Sequence, residues 1–213
     1  IGGTIWEAET FYKLARSYEL LEYKEKAATY YDLAHKAYKQ VLDGSVSVEY
    51  LDFLIKFSLY HAANGEMVRA LEIAKDGLAY TKKNTGSSSL ATLGQVRNLA
   101  EVSLVSQNYT EAIAYADLGF QTIDIMMGKQ LQPLDSIRLQ LEKPKLILLR
   151  TKAEYAHMPK RTSAGIKRLL LQLEEAHIIF QRIKALYTVD RDVALAVEGY
   201  RDITDFIEQL QLE

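Results

Sequence analysis

Three short stretches share one spacing, and it constrains the fold more than anything else in the chain. "KAATYYDLAHKAY" (26–38), "RALEIAKDGLAYT" (69–81) and "EAIAYADLGFQTI" (111–123) place Ala27/Tyr31/Ala34, Ala70/Ala74/Gly77 and Ala112/Ala116/Gly119 at i, i+4 and i+7. On a helix of 3.6 residues per turn these positions form a single stripe. Small residues along such a stripe let a second helix approach closely. The opening alanines lie 43 and 42 residues apart, which is the mark of a tandem repeat.

A second stripe precedes each of these. Phe11/Leu14/Ala15/Tyr18, Leu54/Phe57/Ser58/His61 and Val96/Leu99/Ala100/Ser103 all run i, i+3, i+4, i+7, the apolar spacing of an amphipathic helix. The turn-like stretches "ELLEYKEK", "AANGEMVR" and "LVSQNYTE" separate the two stripes. Each copy therefore reads as helix–turn–helix.

This pattern resembles the tetratricopeptide repeat, whose signature is bulky, Leu, small, Tyr on the first helix and small, aromatic, small on the second. The first copy fits best, with Phe11, Leu14, Ala15, Tyr18, Ala27, Tyr31 and Ala34; Lys39 replaces the usual closing proline. His61 and Ser103 stand for the tyrosine in the later copies, and Ala74 and Ala116 for the aromatic. The resemblance covers residues 4 to 125. A period of 42–43 exceeds the family's common 34 and is similar to that of kinesin light chains. It implies an all-α fold, a right-handed α-solenoid of antiparallel helix pairs with about eight or nine helices, each pair exposing an apolar face that stacking buries.

We read 1–213 as one TPR-like repeat domain: repeats at 4–43, 47–84 and 88–130, a degenerate fourth at 135–187, and a capping helix at 190–213. "GKQLQPLDS" (128–136) ends a helix. Pro144 is expected to start or kink the next one, with 144–157 as the first helix of the fourth unit. A loop over 157–163 follows, with Ser163 as N-cap, and then a long helix over 164–187. From Asp190 to about Gln211 a last helix with charges on one face suits a solubilising cap.

Composition agrees with helices. Only 3 prolines and 11 glycines occur in 213 residues, and 48% are apolar, enough for a substantial core. A formal charge of −2 exerts no global pull on nucleic acid or anionic membrane. With no cysteine, disulfides and thiolate metal sites are excluded, which fits a reducing compartment: the cytoplasm, with the nucleus as alternative. No apolar run nears the roughly 20 residues of a membrane span. The opening "IGGTIWEAET" carries no initiator Met or signal pattern, so the chain reads as a piece of a longer protein. "NYT" (108–110) matches a glycosylation acceptor but falls on a helix–helix turn.

We find no catalytic constellation, and expect a non-enzyme without cofactor or metal. His35, His61, His157 and His177 form no i, i+4 ligand pair, and His61 holds a core position. "GFQTIDIMMGKQ" (119–130) has eight residues between its glycines rather than four, and Gln130 where Ser or Thr would hold magnesium, so it is no phosphate loop. The fourteen tyrosines read as packing residues. The resemblance implies a groove lined by the first helices, with partner-facing Tyr12 and Arg16, Ile55 and Leu59, and Arg97, Glu101 and Leu104. Tyr12 and Arg16 occupy the places where chaperone-binding members carry a Lys/Asn carboxylate clamp. The expected function is a protein-interaction scaffold for a peptide or helix, part apolar and part acidic. A peptide-responsive sensor is one alternative. Another is a nucleic-acid-associated protein using the basic 143–168 segment, an acidic-partner patch of Lys143, Lys145, Arg150, Lys152, Lys160, Arg161, Lys167 and Arg168. The oligomeric state is left open.

Overall fold

A computed structural model describes residues 3–42, 45, 47–186 and 190–213, with side chains for all of these except 184–186 and 190–198. Among the described residues there are nine α-helices and no strand: α1 Ile5–Leu20, α2 Lys24–Leu42, α3 Val48–Ala63, α4 Met67–Thr85, α5 Leu90–Val105, α6 Tyr109–Met127, α7 Pro133–His157, α8 Ser163–Leu186 and α9 Asp190–Gln211. The all-α class of helix pairs is as expected. None of these helices is long and apolar enough to cross a membrane. Residue 43, residue 187 and the charged face foreseen for 190–198 lie outside what is described.

The repeat is visible in the backbone itself. α1, α3 and α5 each have 16 residues, and α2, α4 and α6 each have 19. Thr4, Ser47 and Ser89 cap the three first helices, their hydroxyls accepting from the amides of Glu7, Tyr50 and Thr92 at 3.2, 3.2 and 3.1 Å. Each pair then turns through one residue of left-handed backbone: Glu22 (φ 62°), Gly65 (φ 82°) and Gln107 (φ 59°). The amides of Tyr23, Glu66 and Asn108 reach back to the carbonyls of Tyr18, His61 and Ser103, each at 2.9 Å, and those of Glu22, Gly65 and Gln107 reach Glu19, Ala62 and Leu104. This is the Schellman arrangement, which satisfies carbonyls a helix end leaves orphaned.

The chain divides into two compact units, Ile1–Asn84 and Thr85–Glu213. In the first, Ala27, Tyr31 and Ala34 are fully buried, as are Phe53 and Phe57. An aromatic core holds it together: Tyr31 packs on Phe57 and Tyr60 with centroids 5.6 and 4.6 Å apart, and Tyr38 on Tyr50 and Phe53 at 5.2 Å. Tyr60 donates to the Lys24 carbonyl at 2.8 Å. His61 is buried as foreseen, its Nδ1 3.0 Å from Glu66 Oε2. Burial lowers its pKa, with Arg69 adding to the effect.

In the second unit, Ala112, Ala116 and Gly119 are buried on α6. A Cβ built on Gly119 would stand 2.6 and 2.8 Å from the two methyls of Leu146, itself fully buried on α7. The small stripe thus admits the first helix of the following pair. On the other side of α7, Ile147 and Leu148 join Leu169, Leu173 and Phe180 of α8 and Ile203, Phe206 and Leu210 of α9 in one core.

Two expectations are corrected. Pro144 does not start a helix, so of the start and the kink expected there the start is overturned: α7 begins at Pro133, in its first turn, and continues through a buried Pro144. Proline removes one hydrogen bond, but Leu139, Leu146 and Ile147 are buried on either side of it, and tertiary burial outweighs local propensity. The N-cap of α8 is Thr162, not Ser163: its Oγ1 accepts from the Gly165 amide at 3.1 Å, and its carbonyl from that of Ile166 at 2.9 Å. Ser163 is the first helical residue.

Candidate partner-binding surfaces

In the first unit, Tyr12, Arg16, Ile55 and Leu59 are all half-buried. Tyr12 meets Phe53 edge-on at 5.3 Å, which seats α1 on α3. Arg16 Nη1 donates to Glu19 Oε2 at 2.6 Å, and the Tyr31 hydroxyl donates to the same oxygen at 2.6 Å. Burial and this bond to Glu19 push the Tyr31 hydroxyl far above the usual phenol range. Burial opposes the charge of Arg16, but Tyr31 and Glu19 outweigh it and hold its pKa high. Arg16 is therefore a fixed cation already sharing its anion. Ile55 and Leu59 lie one turn apart on α3 and supply apolar surface next to solvent.

In the second unit, Arg97, Glu101 and Leu104 are likewise half-buried on α5. The structure gives Arg97 a partner that sequence reading missed. Its Nε donates to Glu142 Oε2 of α7 at 2.7 Å, and Nη1 lies 3.7 Å from Glu101 Oε2. Lys145 Nζ donates to the other Glu142 oxygen at 2.9 Å. Side-chain exposure is only 23% for Arg97 and 16% for Glu142. Burial works against both charges; for Glu142 the neighbouring Arg97 and Lys145 overcome it and hold the carboxyl below its ordinary range. For Arg97 the two carboxylates do the same in the opposite sense. Nothing local marks Glu142 as this partner, since it is far along the chain on another helix.

The basic 143–168 segment is met by its own Glu154 and by acids outside it, on other helices and just before it. Lys143 pairs with Glu175 at 2.8 Å, Arg150 with Asp117 at 2.8 Å and Glu154 at 3.2 Å, Arg161 with Glu213 at 2.8 Å, and Arg168 with Glu154 at 3.1 Å. Lys145 is held by Glu142. Lys152 lies 5.7 Å from the Phe206 ring centroid. Among the described residues, Lys160 and Lys167 form no ion pair. The segment's charge is thus largely balanced at short range. No group of three or more His, Asp or Glu able to hold a metal occurs among the described residues.

No protein-family model matches the chain, and no curated protein matches it in sequence. Its fold is similar to that of a solved structure, BtubC (BKLC) from P. vanneervenii, with a TM-score of 0.64 at 14% identity, over 86% of this chain and 67% of that one. The likeness is one of fold: a TPR-like helical repeat.

Proposed function

We propose that this chain is a non-enzymatic protein-interaction scaffold and a portion of a larger regulatory protein or assembly. The observation that carries the reading is the repeated helix pair, identical in helix length, cap and turn across three copies. Such arrays present the same helix of every pair to one partner. The kinesin-light-chain-like period supports a regulatory setting. The partner-facing residues are Tyr12, Arg16, Ile55 and Leu59 in the first unit and Arg97, Glu101 and Leu104 in the second. Ile55 and Leu59 offer the apolar anchor sites that dominate interface energetics. Arg16 and Arg97 already hold carboxylates, so an acidic partner group competes with Glu19 or with Glu101 and Glu142. Apolar contact is therefore the main source of affinity and charge the source of orientation.

The test is capture of the partner from the native source by paired variants. Ile55→Asp with Leu59→Asp abolishes capture while the melting temperature stays within a few degrees of the parent. Lys160→Glu with Arg161→Glu leaves capture intact. The reverse outcome moves the docking surface to residues 143–168 and overturns the reading.

A further inference from the structure

A cleft of about 230 Å³ opens among α6, α7 and α8, lined by Phe120, Lys143, Ile147, Arg150, Gln172 and Glu175. None of the partner-facing residues belongs to it. Lys143, Ile147 and Arg150 recur at i, i+4 and i+7 on α7, so one face of that helix forms the floor. Phe120 and Ile147 supply apolar wall. At the solvent side, Lys143 Nζ donates to Glu175 Oε1 at 2.8 Å, with side-chain exposures of 42% and 55%. The Gln172 side-chain amide lies 3.2 Å from Thr151 Oγ1, whose single proton goes to the Ile147 carbonyl at 2.7 Å.

From this geometry we infer a binding site for a small zwitterionic α-amino acid with an apolar side chain. The volume lies under the usual 300–1,000 Å³ of drug-sized sites, which restricts the ligand to about a dozen heavy atoms. Phe120 and Ile147 take its side chain. Its ammonium and carboxylate are carried on one Cα, about 3 Å apart by covalent geometry. The Lys143–Glu175 pair has nearly the same separation. A zwitterion therefore lies antiparallel to that pair, carboxylate on Lys143 and ammonium on Glu175, with the Gln172 side chain beside it.

The surroundings select against a net charge. Arg150 is held at Nε by Asp117 and at Nη1 by Glu154, which also pairs with Arg168. Lys143, Arg150 and Arg168 are thus balanced by Asp117, Glu154 and Glu175. An acidic or basic amino acid adds an uncompensated charge and is rejected. This site is independent of the scaffold reading and adds to it the binding of a small molecule.

The test uses the 213-residue protein, titrated with free L-leucine and L-phenylalanine and followed by amide NMR. Saturable shifts are expected at 143–150, at 172–175 and in the Gln172 side-chain amide. N-acetyl-L-leucine, which lacks the ammonium, and L-leucinamide, which lacks the carboxylate, bind weaker by about tenfold or more, as does L-glutamate. Lys143→Ala and Glu175→Ala each weaken leucine by a similar factor without lowering the melting temperature, since both are exposed. Three results overturn the inference: no saturable shift with leucine or phenylalanine, equal binding of the blocked derivatives, or leucine binding that survives both substitutions. Shifts produced only by a leucine-containing peptide also overturn it and make the cleft a peptide contact. None of these results bears on Ile55 and Leu59.

Discussion

At the scale of single residues, the three turns separate backbone strain from side-chain identity. Gly65 occupies the left-handed position without penalty, whereas Glu22 and Gln107 hold the same conformation with a Cβ. Glu22→Gly and Gln107→Gly are therefore expected to stabilise the protein, each by about 0.5–1 kcal/mol. Gly65→Ala should cost about 1 kcal/mol. Urea denaturation of the three variants checks both signs. His35 is the second case. It packs among Tyr50, Phe53 and Phe57, and burial, helped by Lys39, lowers its pKa from 6.5 to about 4. The unfolded chain then binds a proton that the folded chain refuses, so stability is full above pH 6.5 and falls as the pH drops toward 4. Between pH 7 and 5 this amounts to about 2 kcal/mol, and lowered His61 adds in the same direction. His35→Phe keeps the packing and should flatten the melting-temperature profile across that window.

At the scale of elements, the crossing of α6 and α7 depends on Gly119. Leu146 is fully buried and cannot swing away, so Gly119→Leu forces the helices apart. A cost of about 1–3 kcal/mol is expected, with Ala112→Trp in the same range. Thermal melts equal to the parent's for both would refute the close approach. The α5–α7 contact adds charge to apolar packing, in which Leu93 meets Leu139 and Leu146. Arg97→Met leaves Glu142 in a confined place with Lys145 alone. The expected loss is about 2–4 kcal/mol, under the full buried-pair figure because both side chains keep some exposure. Adding Glu142→Leu should recover most of that loss, a sign reversal that a double-mutant cycle in urea resolves.

At the scale of the whole molecule, charge is balanced locally as well as in sum. The formal charge is −2, and within 143–168 the cations Lys143, Lys145, Arg150, Arg161 and Arg168 each face a carboxylate. Binding a phosphate backbone would require breaking those pairs before any counterion is released. No retention of duplex DNA is therefore expected in a mobility-shift assay at 0.15 M salt. A tight complex with a steep salt dependence would show that the pairs open to receive phosphate.

What the sequence determined by itself is what helical periodicity encodes within one chain segment. The stripes at i, i+3, i+4 and i+7 announced α1 to α6, because residues three and four apart share a helix face whatever else the chain does. They are buried on α2 to α6, whereas on α1 only Ala15 is, with Phe11, Leu14 and Tyr18 half-buried. Thr4, Ser47 and Ser89 recur at 43 and 42 residues, the repeat's own spacing, but it was the structure that identified them as caps. Of the three turns within the helix pairs only the second carries a glycine, Gly65; Glu22 and Gln107 give no sign in residue type of the left-handed backbone they adopt. Tertiary structure alone decided the rest. It carried α7 through Pro144, because buried neighbours on both sides outweigh one missing hydrogen bond. It joined Arg97 to Glu142 and Lys143 to Glu175. It also brought Phe120, Ile147 and Gln172 around one cleft. These partners lie on different helices, and no local spacing specifies which side chains two helices bring together; the depth and angle at which they pack does.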